Sequence, residues 1–147
     1  IKFPLAFVSN SPYNRHMEGK YRKTAATVSL VNYHFVFCSR RRRKIFKVAG
    51  VEERFRSIVS QVCERNQIEI LALDCDVDHC HLFVNAPPAM SPAEIMKLVK
   101  HESGAVIKEE CFTGATTQVW TRNYFVSTAA DISDETISWY VDTQKTR

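Results

Sequence analysis

No stretch of this chain approaches the ~20 consecutive apolar residues that a membrane-spanning helix requires. The N-terminal residues also lack an apolar signal core followed by a small-residue cleavage site. A soluble, cytoplasmic protein is expected. None of the five cysteines (Cys38, Cys63, Cys75, Cys80, Cys111) stands in a CxxC pair, and their number is odd. That excludes a disulfide framework and a ribbon-type zinc site, leaving reduced thiols. The four glycines include no Walker-type phosphate loop, so nothing calls for a nucleotide cofactor. Internal repeats, low-complexity segments and interdomain linkers are missing too. With 147 residues and 45% hydrophobic content, the chain suits one domain with its own core.

What is present is unevenly charged. Residues 1–65 carry 14 Lys and Arg against 4 Asp and Glu, while residues 66–147 carry 6 against 12, giving nets of +10 and −6. Such a split predicts a polyanion-binding face beside an acidic region, and Arg40, Arg41, Arg42, Arg43 and Lys44 form the densest basic run. A solvated charged loop is the plain alternative. Residues 1–16 are expected to be an added or disordered arm, with Met17 the natural start, although a natural N-terminal arm would look similar; residues 17–147 are expected to form the domain.

Residues 27–38 are rich in β-branched and aromatic side chains and read as a first strand. Val51, Phe55, Ile58, Val59 and Val62 recur at three and four, predicting a helix from about Phe46 to Arg65. Residues 68–76 and 79–86 read as a hairpin turning near Val77 and Asp78, stopped by Pro87 and Pro88. Ser91, Pro92 and Glu94 combine a capping box with a proline at the first helical position, and a second helix follows. Thr113 to Gln118 form a loop, Tyr124 to Thr128 a fourth strand, and Ser133 caps a last helix whose first turn carries Asp134 and Glu135. The order βαββαβ plus a terminal helix predicts an α+β, ferredoxin-like antiparallel sheet. Two helices cover one face and the other is open for a site.

Successive strand residues alternate faces, so His79 and His81 project to one side while Cys80, Leu82 and Val84 go to the other. Two imidazoles one pleat apart can chelate an ion, and Asp76 and Asp78 upstream can orient their rings. Taken alone, His-x-His is a weak signal, since such pairs are often surface or core residues. Tyr140 and Gln144 lie four apart and share a face of the terminal helix. From spacing alone, Tyr140 beside Ile137, Trp139 and Val141 is a packing aromatic.

Four ordered segments carry a more specific signal: Tyr33 to Phe37 with the arginine run, Asp78 to Val84 followed by Pro87 and Pro88, Trp120 to Thr128, and Tyr140 to Gln144. Together they resemble the single-tyrosine HUH transposases of the insertion sequence 200/605 family, over roughly residues 21–147. The resemblance implies a ferredoxin-like fold, His79, His81 and Gln144 as ligands of Mg²⁺ or Mn²⁺, and Tyr140 as a nucleophile that forms a 5′-phosphotyrosine with single-stranded DNA. It also implies hairpin-bearing transposon ends as substrate and a homodimer whose sites are completed in trans. Arg40 to Lys44, with Lys97 and Lys100, are the expected DNA contacts. The chain departs from the family's pattern at Ala129, Ala130 and Asp131, where glycine is usual, and at His101 to Gly104. Three rivals stand beside this: a domesticated relative processing palindromic repeats by the same chemistry, a non-catalytic nucleic-acid-binding module, and a zinc-binding regulator using Cys75, His79 and His81.

Overall fold

The computed structural model describes residues 21–128, 134–144 and 146–147. A small hairpin of β1 (Arg22–Lys23) and β2 (Val28–Ser29) precedes β3 (Val31–Cys38). Helix α1 spans Val51–Arg65, β4 Glu69–Cys75, β5 His79–Ala86, α2 Pro92–Cys111, β6 Phe125–Ser127 and α3 Asp134–Thr143. The four long-range strands form one antiparallel sheet in the order β4-β5-β3-β6. This is the ferredoxin-like arrangement expected from the order of elements.

Several boundaries differ from the sequence expectation. The first strand does not run from residue 27: β2 pairs with β1 instead, and the sheet strand starts at Val31. β-Propensity marks a residue fit for a pleated surface without saying which partner it joins. The first helix starts at Val51 rather than near Phe46, because Ile45–Lys47 make a separate tight turn and Gly50 takes a left-handed φ of 83° before the helix begins. Ser91 caps α2 as its spacing implies, its Oγ accepting from the Glu94 amide at 3.1 Å. Ser133, the expected cap of α3, lies outside the described residues, as do Ala129, Ala130 and Asp131.

The register sorts the sheet into two faces. Phe35 and Phe37 of β3 and Cys80, Leu82 and Val84 of β5 meet α1 and α2 in a core with Val51, Phe55, Val59, Ile95, Val99 and Ile107. Trp120 closes that core edge-on to Phe37, at 4.9 Å between centroids. Its Nε1 donates to Ser103 Oγ at 3.0 Å. A Cβ at Gly104 would stand 3.3 Å from the indole, so the small pair Ser103 and Gly104 gives the ring its seat on α2. The second face is not open, as the sequence led us to expect. Val36, Cys38 and Phe125 are packed beneath Ile137, Tyr140 and Val141 of α3. Among the described residues no helix is long and apolar enough to cross a membrane.

Candidate metal and nucleophile site

His79 and His81 sit at the start of β5 opposite Cys38 and Val36 of β3, on the face that α3 covers. Their ring centroids are 5.5 Å apart. Both are buried, His81 completely, although strand alternation alone pointed to an open face. His79 Nδ1 lies 2.7 Å from Asp78 Oδ1. A carboxylate there holds the proton on Nδ1 and leaves the Nε2 lone pair for a metal. That Nε2 is buried with no hydrogen-bond partner among the described residues. Asp76, the other acidic candidate, instead accepts from the Val77 amide at 2.6 Å and shapes the turn.

His81 has a partner that sequence reasoning missed. His34 Nε2 on β3 lies 3.3 Å from His81 Nδ1. With His81 Nδ1 as the donor, its Nε2 keeps a lone pair for an ion. The available signal was the alternation His34, Val36, Cys38 along β3, but it points at His81 only once the β3–β5 register is known. Burial pulls His34 down to about 4. Burial first, then the neighbouring His34 and His79 rings, pulls His81 down to about 3.

A pH prediction follows. The folded protein keeps these two rings neutral, whereas unfolded chains protonate histidine near 6.5. The unfolded state therefore binds more protons between pH 6.5 and about 3, and stability is lost as the pH falls through that window. Metal-free protein is expected to lose about 2–4 kcal/mol between pH 7.5 and 5 by urea denaturation. His34→Gln should flatten the dependence. Equal stability at the two pH values would contradict a buried neutral pair.

Tyr140 on α3 faces β3, and Gln144, one residue past the end of the helix, is buried as well. Tyr140 packs against Phe125 at 5.9 Å between centroids. Its hydroxyl is buried without a partner among the described residues, and burial raises its pKa above that of a free phenol. Gln144 Nε2 donates to Thr143 Oγ1 at 3.2 Å, while its Oε1 is buried and unpartnered among the described residues. Trp139, grouped with the packing residues from sequence, is 65% exposed. A cavity of about 290 Å³ between hairpin and helix is lined by His79, Asp78, Arg42, Val141 and Asp142 among others. Among the described residues no cluster of three His, Cys, Asp or Glu side chains is placed to hold a metal. Two imidazole nitrogens and one amide oxygen are a donor chemistry that suits a divalent ion. The zinc reading through Cys75 fails: Cys75 pairs with Cys80 and packs into the helix-side core, on the opposite face from the histidines. All five cysteines are free.

The expected DNA contacts divide. Arg41 and Lys44 are exposed, as is Lys97 on α2. Arg40 and Arg41 line a groove of about 430 Å³ with Arg122, Asn123, Thr146 and Arg147. Arg43 donates to the Gln118 and Arg40 carbonyls, and Arg42 pairs with Asp78 and Asp142, so both guanidiniums are already engaged. Lys100 is turned into the fold. Its Nζ donates to Asn123 O at 2.9 Å beside the Tyr124 ring, and burial lowers it to about 8.

The family described as "Transposase IS200 like" matches residues 27–144. The transposase for insertion sequence element IS200 of Salmonella typhimurium is 31% identical over 115 residues, covering 75% of this chain and 74% of that protein. The ISDra2 transposase TnpA of Deinococcus radiodurans is 22% identical over 130 residues, covering 84% and 90%. In structure, a protein of Deinococcus radiodurans R1 described as a transposase matches with a TM-score of 0.72 at 21% identity, over 86% of this chain and 99% of the other. A REP-associated tyrosine transposase bound to a REP hairpin matches with a TM-score of 0.53 at 16% identity, over 84% and 68%. The chain belongs to the IS200-like transposase family.

Proposed function

We propose that this transposase cleaves and rejoins single-stranded, hairpin-bearing transposon ends in the cytoplasm, with Tyr140 as nucleophile and His79, His81 and Gln144 as ligands of Mg²⁺ or Mn²⁺. The observation that carries the proposal is that His79 Nε2, the Tyr140 hydroxyl and Gln144 Oε1 are all buried with no protein hydrogen-bond partner among the described residues. Native proteins leave few buried polar atoms unsatisfied, and such a set is expected where a ligand completes it. The bound ion would supply Lewis-acid stabilisation of charge on the phosphate oxygens.

The chain's own residues do the rest. Asp78 holds the His79 ring in its ligand tautomer, and His34 fixes His81. The Tyr140 oxygen bonds to phosphorus, the bond from phosphorus to the 3′-oxygen breaks, the phenolic proton is released and the departing 3′-oxygen takes one up. A 5′-phosphotyrosine and a free 3′-hydroxyl result. One phosphodiester replaces another of similar energy, so rejoining needs no nucleotide. A hairpin bound to the structural neighbour supports folded single strands as substrate, and 31% identity to an insertion-sequence transposase favours transposon ends over dispersed repeats. Wild-type protein should cleave single-stranded ends with Mg²⁺ or Mn²⁺, leave duplex ends intact, and stop with EDTA. Equal cleavage of duplex, or none of either, would refute the proposal.

In the single chain α3 sits on its own β3. Completion of the site in trans, which the family resemblance implies, is then an exchange of that seat between two protomers. Tyr140→Phe protein mixed with His79→Ala, His81→Ala protein should regain part of the activity once heterodimers are verified by mass spectrometry. Verified heterodimers that stay inactive would rule out the exchange.

A further inference from the structure

The basic run makes Arg42 look like one more DNA contact, but two of its guanidinium nitrogens are engaged within the protein. Nε donates to Asp78 Oδ2 at 3.0 Å and Nη1 to Asp142 Oδ1 at 3.2 Å. Asp78 holds His79 Nδ1 with its other oxygen. Asp142 lies two residues beyond Tyr140 and two before Gln144. One side chain thus spans from the carboxylate that orients a proposed metal ligand to the helix that carries the proposed nucleophile.

The backbone beneath it is unusual in a way that serves this aim. Arg41 and Arg42 take successive positive φ values of 57° and 51°, a region that non-glycine residues rarely enter. Such a conformation persists only where surroundings over-determine it. Here the Arg42 amide donates to Ser39 O at 2.9 Å, and the Ser39 hydroxyl sits 2.6 Å from Arg43 O and 3.1 Å from Asp78 O. The turn is pinned to the same hairpin that Arg42 addresses.

We infer that Arg42 is a positioning residue, a two-armed clamp joining the ligand hairpin to the tyrosine helix; this rests on His79 being a metal ligand. The arms are unequal. The Asp78 side chain is 7% exposed and the Asp142 side chain 65%. Exposed ion pairs shift an equilibrium by at most about five-fold, so the Asp142 arm lets go when α3 leaves its seat, while the Asp78 arm stays. Lysine, a point charge on a flexible stem, cannot bridge both carboxylates.

The test uses Mn²⁺ alone as probe on the full chain, with free Mn²⁺ followed by electron paramagnetic resonance and α3 amides by hydrogen exchange. Arg42→Ala should weaken Mn²⁺ binding about ten-fold and speed α3 exchange by up to about five-fold. Asp142→Asn should speed exchange equally and leave Mn²⁺ affinity unchanged. Arg42→Lys should recover most of the Mn²⁺ affinity while α3 exchange stays fast, a separation that general loss of structure would not produce. Wild-type Mn²⁺ affinity and exchange in Arg42→Ala, with weakened binding of hairpin DNA, would overturn the inference in favour of a DNA contact. Should Arg42→Ala not fold, wild-type exchange rates in both Arg42→Lys and Asp142→Asn would overturn it. A wild-type protein that binds no Mn²⁺ would sink the metal reading, and the exchange comparison would still decide the clamp.

Discussion

Tyr140→Phe is expected to abolish strand cleavage, keep hairpin DNA binding within a few-fold of wild type, and leave the fold at least as stable. The first part follows from the chemistry: without the phenolic oxygen no bond to phosphorus can form, and no other hydroxyl is proposed to substitute. The last part follows from packing. The Tyr140 hydroxyl is buried with no hydrogen-bond partner among the described residues, while the ring packs on Phe125. Removing an unsatisfied buried hydroxyl spares its desolvation cost, so a gain of up to about 1 kcal/mol is expected, where loss of a hydrogen-bonded hydroxyl would destabilise by a similar amount. Activity by gel and stability by urea denaturation should therefore move independently. Residual cleavage at the wild-type rate would end the role of Tyr140.

His79→Ala and His81→Ala should each reduce metal-dependent cleavage by at least about two orders of magnitude, since removing a ligand exceeds the 10–100-fold typical of losing its supporting partner. Their effects on stability should differ from what an exposed ligand face would give. His81 is fully buried against His34, and truncating it opens a cavity and removes the ring that His34 Nε2 meets. A cost of about 1–3 kcal/mol is expected at pH 7.5, shrinking as the pH falls because the variant no longer pays to keep His81 neutral. Variants that cleave normally with Mn²⁺ would refute the ligand assignment. Variants that are inactive only because they unfold would favour a structural pair.

The parts legible in sequence were those set by local rules. The Ser91 cap, the hairpin from Glu69 to Ala86 and the helical period of Val51 to Val62 each depend on neighbours a few residues away, and each appears where its pattern puts it. What escaped depends on pairing across the chain. His34 meets His81 through a register spanning 47 residues, and the period-two pattern names a face without naming its occupant. The covering of that face by α3 was hidden for the same reason. Charge runs likewise name candidates without naming their partners: Arg42 pairs with Asp78 and Asp142, and Lys100 donates to the Asn123 carbonyl. Strand β3 lost its expected first residues because Val28 and Ser29 found partners in β1.

The most direct measurement is mass-spectrometric mapping of the covalent adduct formed when the wild-type protein is incubated with a single-stranded transposon end and Mg²⁺. The account predicts one modified peptide, carrying a nucleotide on the Tyr140 oxygen through its 5′-phosphate, and a released strand with a free 3′-hydroxyl. An adduct on any other residue, a linkage through a 3′-phosphate, or cleavage with no covalent intermediate would contradict it.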